Sequence, residues 1–278
     1  MAAIALGFSS AVVWGLADFL GGLKSRQLAL LTVMLWSQAA ALVALAVVVA
    51  VRGEAPEGAS IVPWSMLAAV AGTVGLAAFY RGLAVGAMGV VSPVSASAAA
   101  IPVAAGVVSG ERPSAIQFAG VAIAVVGVAV ASYEPRGRSR AAPAAGVGLA
   151  LVAALGFGTF FVAIDEAADR DLLWALTISR ATSTGILLAA ALAMRPRLAV
   201  GRGDLRALVA IGLLDVSANA LFAAGTQLGL VSIVSVLGSL YPVMTIVLAR
   251  LVLGERLRAA QRTGAVGALA GVALISAG

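Results

Sequence analysis

Apolar runs long enough to cross a bilayer follow one another through this chain with only short polar breaks, and no other feature limits the fold so strongly. A crossing helix needs roughly 20 mostly apolar residues, because its backbone polar groups must be satisfied within the helix itself. That rule places ten spans. The first half holds 3–23, 28–51, 64–83, 88–109 and 114–132; the second holds 146–164, 172–194, 205–226, 230–253 and 260–277. The first span reads as a mature helix rather than a signal peptide, since it has no basic leader, carries Asp18 and outruns a signal's apolar core. Only 11% of the residues are charged, against roughly 25% in a soluble domain. The expectation is an all-α integral membrane protein, multi-pass, in a plasma membrane of prokaryotic type.

The formal charge is +6, but the basic residues lie mostly between spans, where they face lipid headgroups. The bilayer, not nucleic acid, is the expected partner. The chain has no Cys and no His. Disulfides, thiolate nucleophiles, Cys-ligated metals and a Ser-His-Asp triad are therefore excluded, and zinc or haem sites are not expected. Proton chemistry falls to carboxylates. No cofactor and no metal are anticipated.

The two halves look like copies. Gly110-Glu111-Arg112, Gln117, Gly120 and Gly127 recur 144 residues later as Gly254-Glu255-Arg256, Gln261, Gly264 and Gly271. Phe79, Gly82, Gly86, Val91 and Ser92 recur at a shift of 143 as Phe222, Gly225, Gly229, Val234 and Ser235. Gly15 and Phe19 match Gly156 and Phe160. The expected division is a five-helix repeat over 1–133, a basic hinge over 134–145 with Arg136, Arg138 and Arg140, and a second repeat over 146–278. An odd number of helices per repeat makes the second enter the membrane from the opposite side, an inverted repeat of the kind that suits alternating access.

Two five-helix halves, each ending in a Gly-Glu-Arg turn and a glycine-spaced last helix, resemble the EamA branch of the drug/metabolite transporter superfamily over nearly the whole chain. Pro242, thirteen residues before Glu255, fits the pattern of that family's ninth helix; Ala98 stands at the equivalent place in the first half, with Pro93 and Pro102 nearby. Arg180 fits the family's Arg early in the second helix of a half, whereas Gln38 occupies the matching place in the first. The resemblance implies export or exchange of small metabolites, including amino acids, through a central cavity.

An ionisable side chain near the bilayer centre costs about 2.5–3.5 kcal/mol on insertion scales, so it faces a cavity or a partner. Asp215 lies mid-span with Asn219 one turn on, and Asp18 follows Trp14 by one turn. Both carboxylates are candidates for a substrate amine or for proton coupling, and both have a structural alternative as locks between helices. Arg180 can bind a substrate carboxylate through its planar fork or neutralise Asp215 or Asp18. Gln38, Thr159, Tyr80 and Tyr241 complete the expected substrate-binding set, with Tyr241-Pro242 a natural weak point of its helix. Trp64 and Trp174 read as interfacial anchors and Trp14 as deeper. Arg81 and Arg250 are read as snorkelling near span ends. Glu111 and Glu255 are read as turn-locking residues. Asp165, Glu166, Asp169 and Asp171 form the densest acidic cluster, read as a solvated loop rather than a Mg²⁺ site.

With the amino terminus placed in the cytoplasm, three basic residues (Arg52, Arg112, Arg170) face that side. Twelve face the other: Lys24, Arg26, Arg136, Arg138, Arg140, Arg195, Arg197, Arg202, Arg206, Arg256, Arg258 and Arg262. The positive-inside rule therefore favours both termini outside. The leading expectation is a secondary transporter of small polar metabolites such as amino acids, functional as a monomer. The alternatives are a proton-linked exporter of lipophilic cations and, from another class, a polytopic membrane enzyme acting on lipid-linked substrates. No phosphate-binding Gly-Lys-Ser/Thr motif supports ATP-driven transport.

Overall fold

The computed structural model describes all residues except 26, 57, 86–93, 132–142, 197, 242, 245–246, 249–250, 252–258 and 278. Among the described residues the chain is helical, without a strand. The helices are α1 (Ala2–Ser25), α2 (Leu30–Arg52), α3 (Ile61–Val85), α4 (Ala100–Val108, entered through a 3₁₀ turn at Ser97–Ala99) and α5 (Ala115–Ala131). A helical stretch Pro143–Met194 breaks at Asp171, which is extended (φ −160°, ψ 106°); we number its arms α6 (143–170) and α7 (172–194). Then follow α8 (Arg202–Thr226), α9 (Val231–Gly238) and α10 (Ala259–Ala277). Five of the helical stretches, the broken one counted once, are long and apolar enough to cross a membrane.

Local chemistry sets several ends. Ser114 and Gln117 form a capping box at the start of α5: the Gln117 N–H donates to Ser114 Oγ at 3.1 Å and the Ser114 N–H to Gln117 Oε1 at 2.9 Å. The glutamine that recurs in both halves thus opens the last helix of the first. Gly53 ends α2 in the left-handed region (φ 71°), donating its N–H to Val49 O.

The acidic stretch 165–171 departs from the expected solvated loop. The helix runs on through it, and Asp171 is buried. Its Oδ1 accepts the Trp174 N–H at 3.1 Å, the geometry of an N-cap for α7, and its two oxygens accept from one guanidinium nitrogen of Arg52, each at 2.8 Å. Among the described residues no cluster is suited to a metal ion. Trp174, expected as an interfacial anchor, donates its indole N–H to Glu54 O at 2.9 Å. Elsewhere, Lys24 meets Asp204 at 2.7 Å, and Trp36 donates its indole N–H to Leu198 O at 3.0 Å. Each of these links joins the first half to the second.

Within lipid there is little hydrophobic drive between helices, so close approach of small residues holds them together. α1 packs on α8, α3 on the α6–α7 stretch, α2 on the same stretch and on α8, α4 on α9, and α5 on α10. At Gly156 of α6 a Cβ would lie 2.7 Å from both Ala71 O and Gly75 Cα of α3, so only glycine fits this crossing.

Glu111 does more than lock its own turn. Its carboxylate accepts the Val231 N–H at 2.6 Å and the Ser232 N–H at 3.2 Å, satisfying orphan donors at the first turn of α9 in the other half. Arg81 is exposed. Glu255, Arg250, Pro242 and the hinge residues Arg136, Arg138 and Arg140 lie outside the described residues, while 143–145 at the end of the expected hinge are helical.

Candidate functional site

α1, α2, α3, α6, α7 and α8, with Tyr241, enclose one cavity of about 80 Å³. At about 10–15 Å³ per water, it has room for several waters or a small polar group. The helices bring polar groups into it by simple periodicity. One turn of α1 separates Trp14 from Asp18, and one turn of α8 separates Asp215 from Asn219, so each pair shares a face. Where α8 crosses α2, a Cβ on Gly212 would collide with the Ser37 carbonyl oxygen. This contact sets Gln38, next along α2, opposite Asp215, nearly one turn along α8.

The centre is an ion pair with a third partner. Arg180 is 6% exposed; its Nη1 donates to Gln38 Oε1 at 2.5 Å and its Nη2 lies 2.7 Å from Asp215 Oδ2. Asn219 Nδ2 donates to the Asp215 carbonyl at 2.6 Å and to its Oδ1 at 3.3 Å. Removing one member of such a pair leaves an uncompensated buried charge, at a cost of about 3–5 kcal/mol. Asp18 stands apart from this network, with Tyr80 donating its hydroxyl to Oδ1 at 3.3 Å. Gly21 leaves room for that hydroxyl, which would sit 2.6 Å from a Cβ there.

Aromatic rings form the remaining walls. Phe157, Phe160 and Phe161 of α6 line the cavity. Trp14 lies 5.7 Å from both Phe161 and Phe222, and Phe161 stacks on Phe222 at 4.7 Å. Phe79 meets Tyr241 edge-on at 6.2 Å.

Of the residues expected at the site, Trp14, Asp18, Gln38, Arg180, Asp215, Asn219 and Tyr241 line this cavity, and Tyr80 stands behind Asp18. Thr159 is not among the lining residues; its neighbours Phe157, Phe160 and Phe161 are. Sequence reasoning missed these phenylalanines together with Thr73, and it leaves Ser179 and Ser183 as neighbours of Arg180 rather than as site residues. Spacing around Arg180 points to the two serines, which lie within a turn of it, but nothing marks a phenylalanine in an apolar helix as a cavity wall. Thr73 is buried, and its hydroxyl has no hydrogen-bond partner among the described residues.

The model of the EamA-like transporter family matches residues 1–133 and 144–277. One solved crystal structure is similar in fold, with a TM-score of 0.77 at 17% identity over 99% of this chain and 98% of that one. No curated protein matches.

Proposed function

This chain belongs to the EamA-like transporter family, and from that premise we propose that it is a secondary transporter of small, amine-bearing polar metabolites such as amino acids. Members of the family are membrane transporters, which implies a small-molecule cargo and a lipid bilayer. In this reading ten helices form two inverted five-helix repeats, 1–133 and 146–278, joined by the hinge 134–145. They rock about the cavity to expose it to each side in turn. The protein works as a monomer in a prokaryotic plasma membrane, exporting or exchanging cargo, with Asp18 or Asp215 as the proton-coupling group.

One observation carries the choice of cargo. Asp215 already has a cation beside it, whereas the only hydrogen-bond partner described for Asp18 is the neutral Tyr80 hydroxyl. With both carboxylates ionised, the cavity holds one more negative charge than positive, and an ammonium group beside Asp18 and the Trp14 ring supplies the missing cation. The aromatic lining also favours a second reading, export of lipophilic cations. Arg180 stands less in its way than its charge suggests, since Asp215 and Gln38 occupy it.

The test is flux in proteoliposomes loaded in turn with labelled amino acids and with cationic drugs. Asp18→Asn is expected to slow amino-acid flux by about tenfold or more, equivalent to about 1.4 kcal/mol, while the protein still folds. Undiminished amino-acid flux in Asp18→Asn removes the amine site. Movement of the cationic pool alone selects the second reading.

A further inference from the structure

The two halves of the central ion pair are unequally held. The Arg180 side chain is 8% exposed and bonded to Gln38, so it is fixed within the helix bundle. The Asp215 side chain is 28% exposed, and Asn219 on its own helix already offers a second donor to its Oδ1. Asp215 can therefore swing off Arg180 toward Asn219 and remain hydrogen-bonded. Arg180 has nowhere to go, and its buried guanidinium then needs another carboxylate. Guanidinium binds carboxylates as a planar fork whatever molecule carries them.

We propose that Asp215 is a resident stand-in for the cargo's own carboxylate, and that amino-carboxylate cargo binds by taking its place on Arg180. Asp215 then passes to Asn219, Gln38 keeps the guanidinium aimed into the cavity, and the cargo ammonium sits at Asp18. The exchange swaps one carboxylate for another at Arg180, so the buried cation stays paired, and the released Asp215 anion, 28% exposed, is held by the Asn219 amide. This rests on the reading of the cavity as the cargo site, and it narrows the cargo to molecules bearing both an ammonium and a carboxylate. A simple amine fills the Asp18 end and leaves the Arg180–Asp215 pair in place.

The test begins with small carboxylates as probes, on the purified full-length protein. Asp215→Ala vacates the place on Arg180, and acetate or formate is expected to raise its melting temperature, with chloride as the ionic-strength control. The wild type, whose own carboxylate is present at high effective concentration, is expected to respond little. The double variant Arg180→Gln/Asp215→Ala is expected not to respond. Acetate that leaves Asp215→Ala unchanged, or that stabilises the double variant equally, overturns the proposal.

If Asp215→Ala does not fold, Asp215→Asn keeps the volume and removes the competing charge. It is expected to bind labelled glycine about tenfold more tightly than the wild type, as a tethered competitor has been removed, and methylammonium no more tightly than the wild type. Weaker glycine binding in Asp215→Asn makes Asp215 a direct cargo contact and sinks the idea. Acetate rescue without transport of any amine or amino acid instead upholds the exchange at Arg180 and refutes the transport reading.

Discussion

The wall that α1 and α8 give the cavity carries Asp18, Asp215 and Asn219, while the wall from α3 and α6 carries Gly72, Thr73, Leu76, Phe157 and Phe160. The repeat arithmetic relates these walls. At the shift of 143 that takes Phe79 to Phe222, Gly72 falls on Asp215; at the shift of 141 that takes Phe19 to Phe160, Asp18 falls on Thr159. The carboxylates of one wall thus map to Gly72 and Thr159 on the helices of the other, whose rings come from Phe157 and Phe160. The reason is visible at Gly72, where a Cβ would already lie 3.1 Å from the Phe160 ring. A carboxylate there would have to displace that ring and would find no arginine, because Gln38 stands where the first half would need one. The pairing of α1 with α8 matches that of the 143–194 stretch with α3, whereas the charges do not recur, since each needs a partner to be tolerated in an apolar interior.

If the ionic wall carries function and the aromatic wall carries shape, substitutions should separate them. Gly212→Ala has the largest expected effect. It drives α8 from α2, costs about 3 kcal/mol through overpacking, and displaces Gln38 from Arg180, so thermal unfolding in detergent and flux fall together. Gly156→Ala, at the α3–α6 crossing, is expected to cost about 1–3 kcal/mol while cargo affinity is retained. Equal loss of affinity in both proteins erases the distinction between the walls.

Tyr80→Phe comes next. It removes the hydroxyl that Asp18 accepts, a hydrogen bond worth about 1 kcal/mol, and flux at limiting cargo is expected to fall severalfold with the melting temperature almost unmoved. A drop in melting temperature without a change in flux assigns the bond to packing. Thr73→Val has the smallest expected effect. Its buried hydroxyl has no partner among the described residues, so replacing it with a methyl is expected to be neutral or to stabilise by up to about 1 kcal/mol. Lost cargo affinity in Thr73→Val shows that the aromatic wall also reads polar groups.

The parts of this site that are legible in sequence are those that are costly to place. Asp18, Arg180 and Asp215 stand out because an apolar span does not tolerate a charge without a reason, and all three line the cavity. The phenylalanines of α6 carry no such mark, since Phe is ordinary in any span. A mid-span threonine such as Thr73 is equally silent, because its hydroxyl can usually bond to its own helix. The positions of α1, α2, α3, α5, α7, α8 and α10 followed from apolar run length, but the α6–α7 junction did not. Four acidic residues within 165–171 imitate a loop, whereas Asp171 ends one helix, caps the next through the Trp174 N–H and is neutralised by the distant Arg52. The reach of Glu111 is hidden in the same way: its partners lie some 120 positions downstream.

That contact from Glu111 also bears on the order of assembly. The first half leaves the ribosome with an acceptor in waiting, and the amides of Val231 and Ser232 that fill it are made more than a hundred residues later. Until they arrive the carboxylate has only water or lipid headgroups to answer to. Once they do, the second half enters the bilayer with the docking point for its ninth helix already fixed. The halves are thus complementary pieces, and cutting the chain between them would leave an acid and a helix end each without its mate.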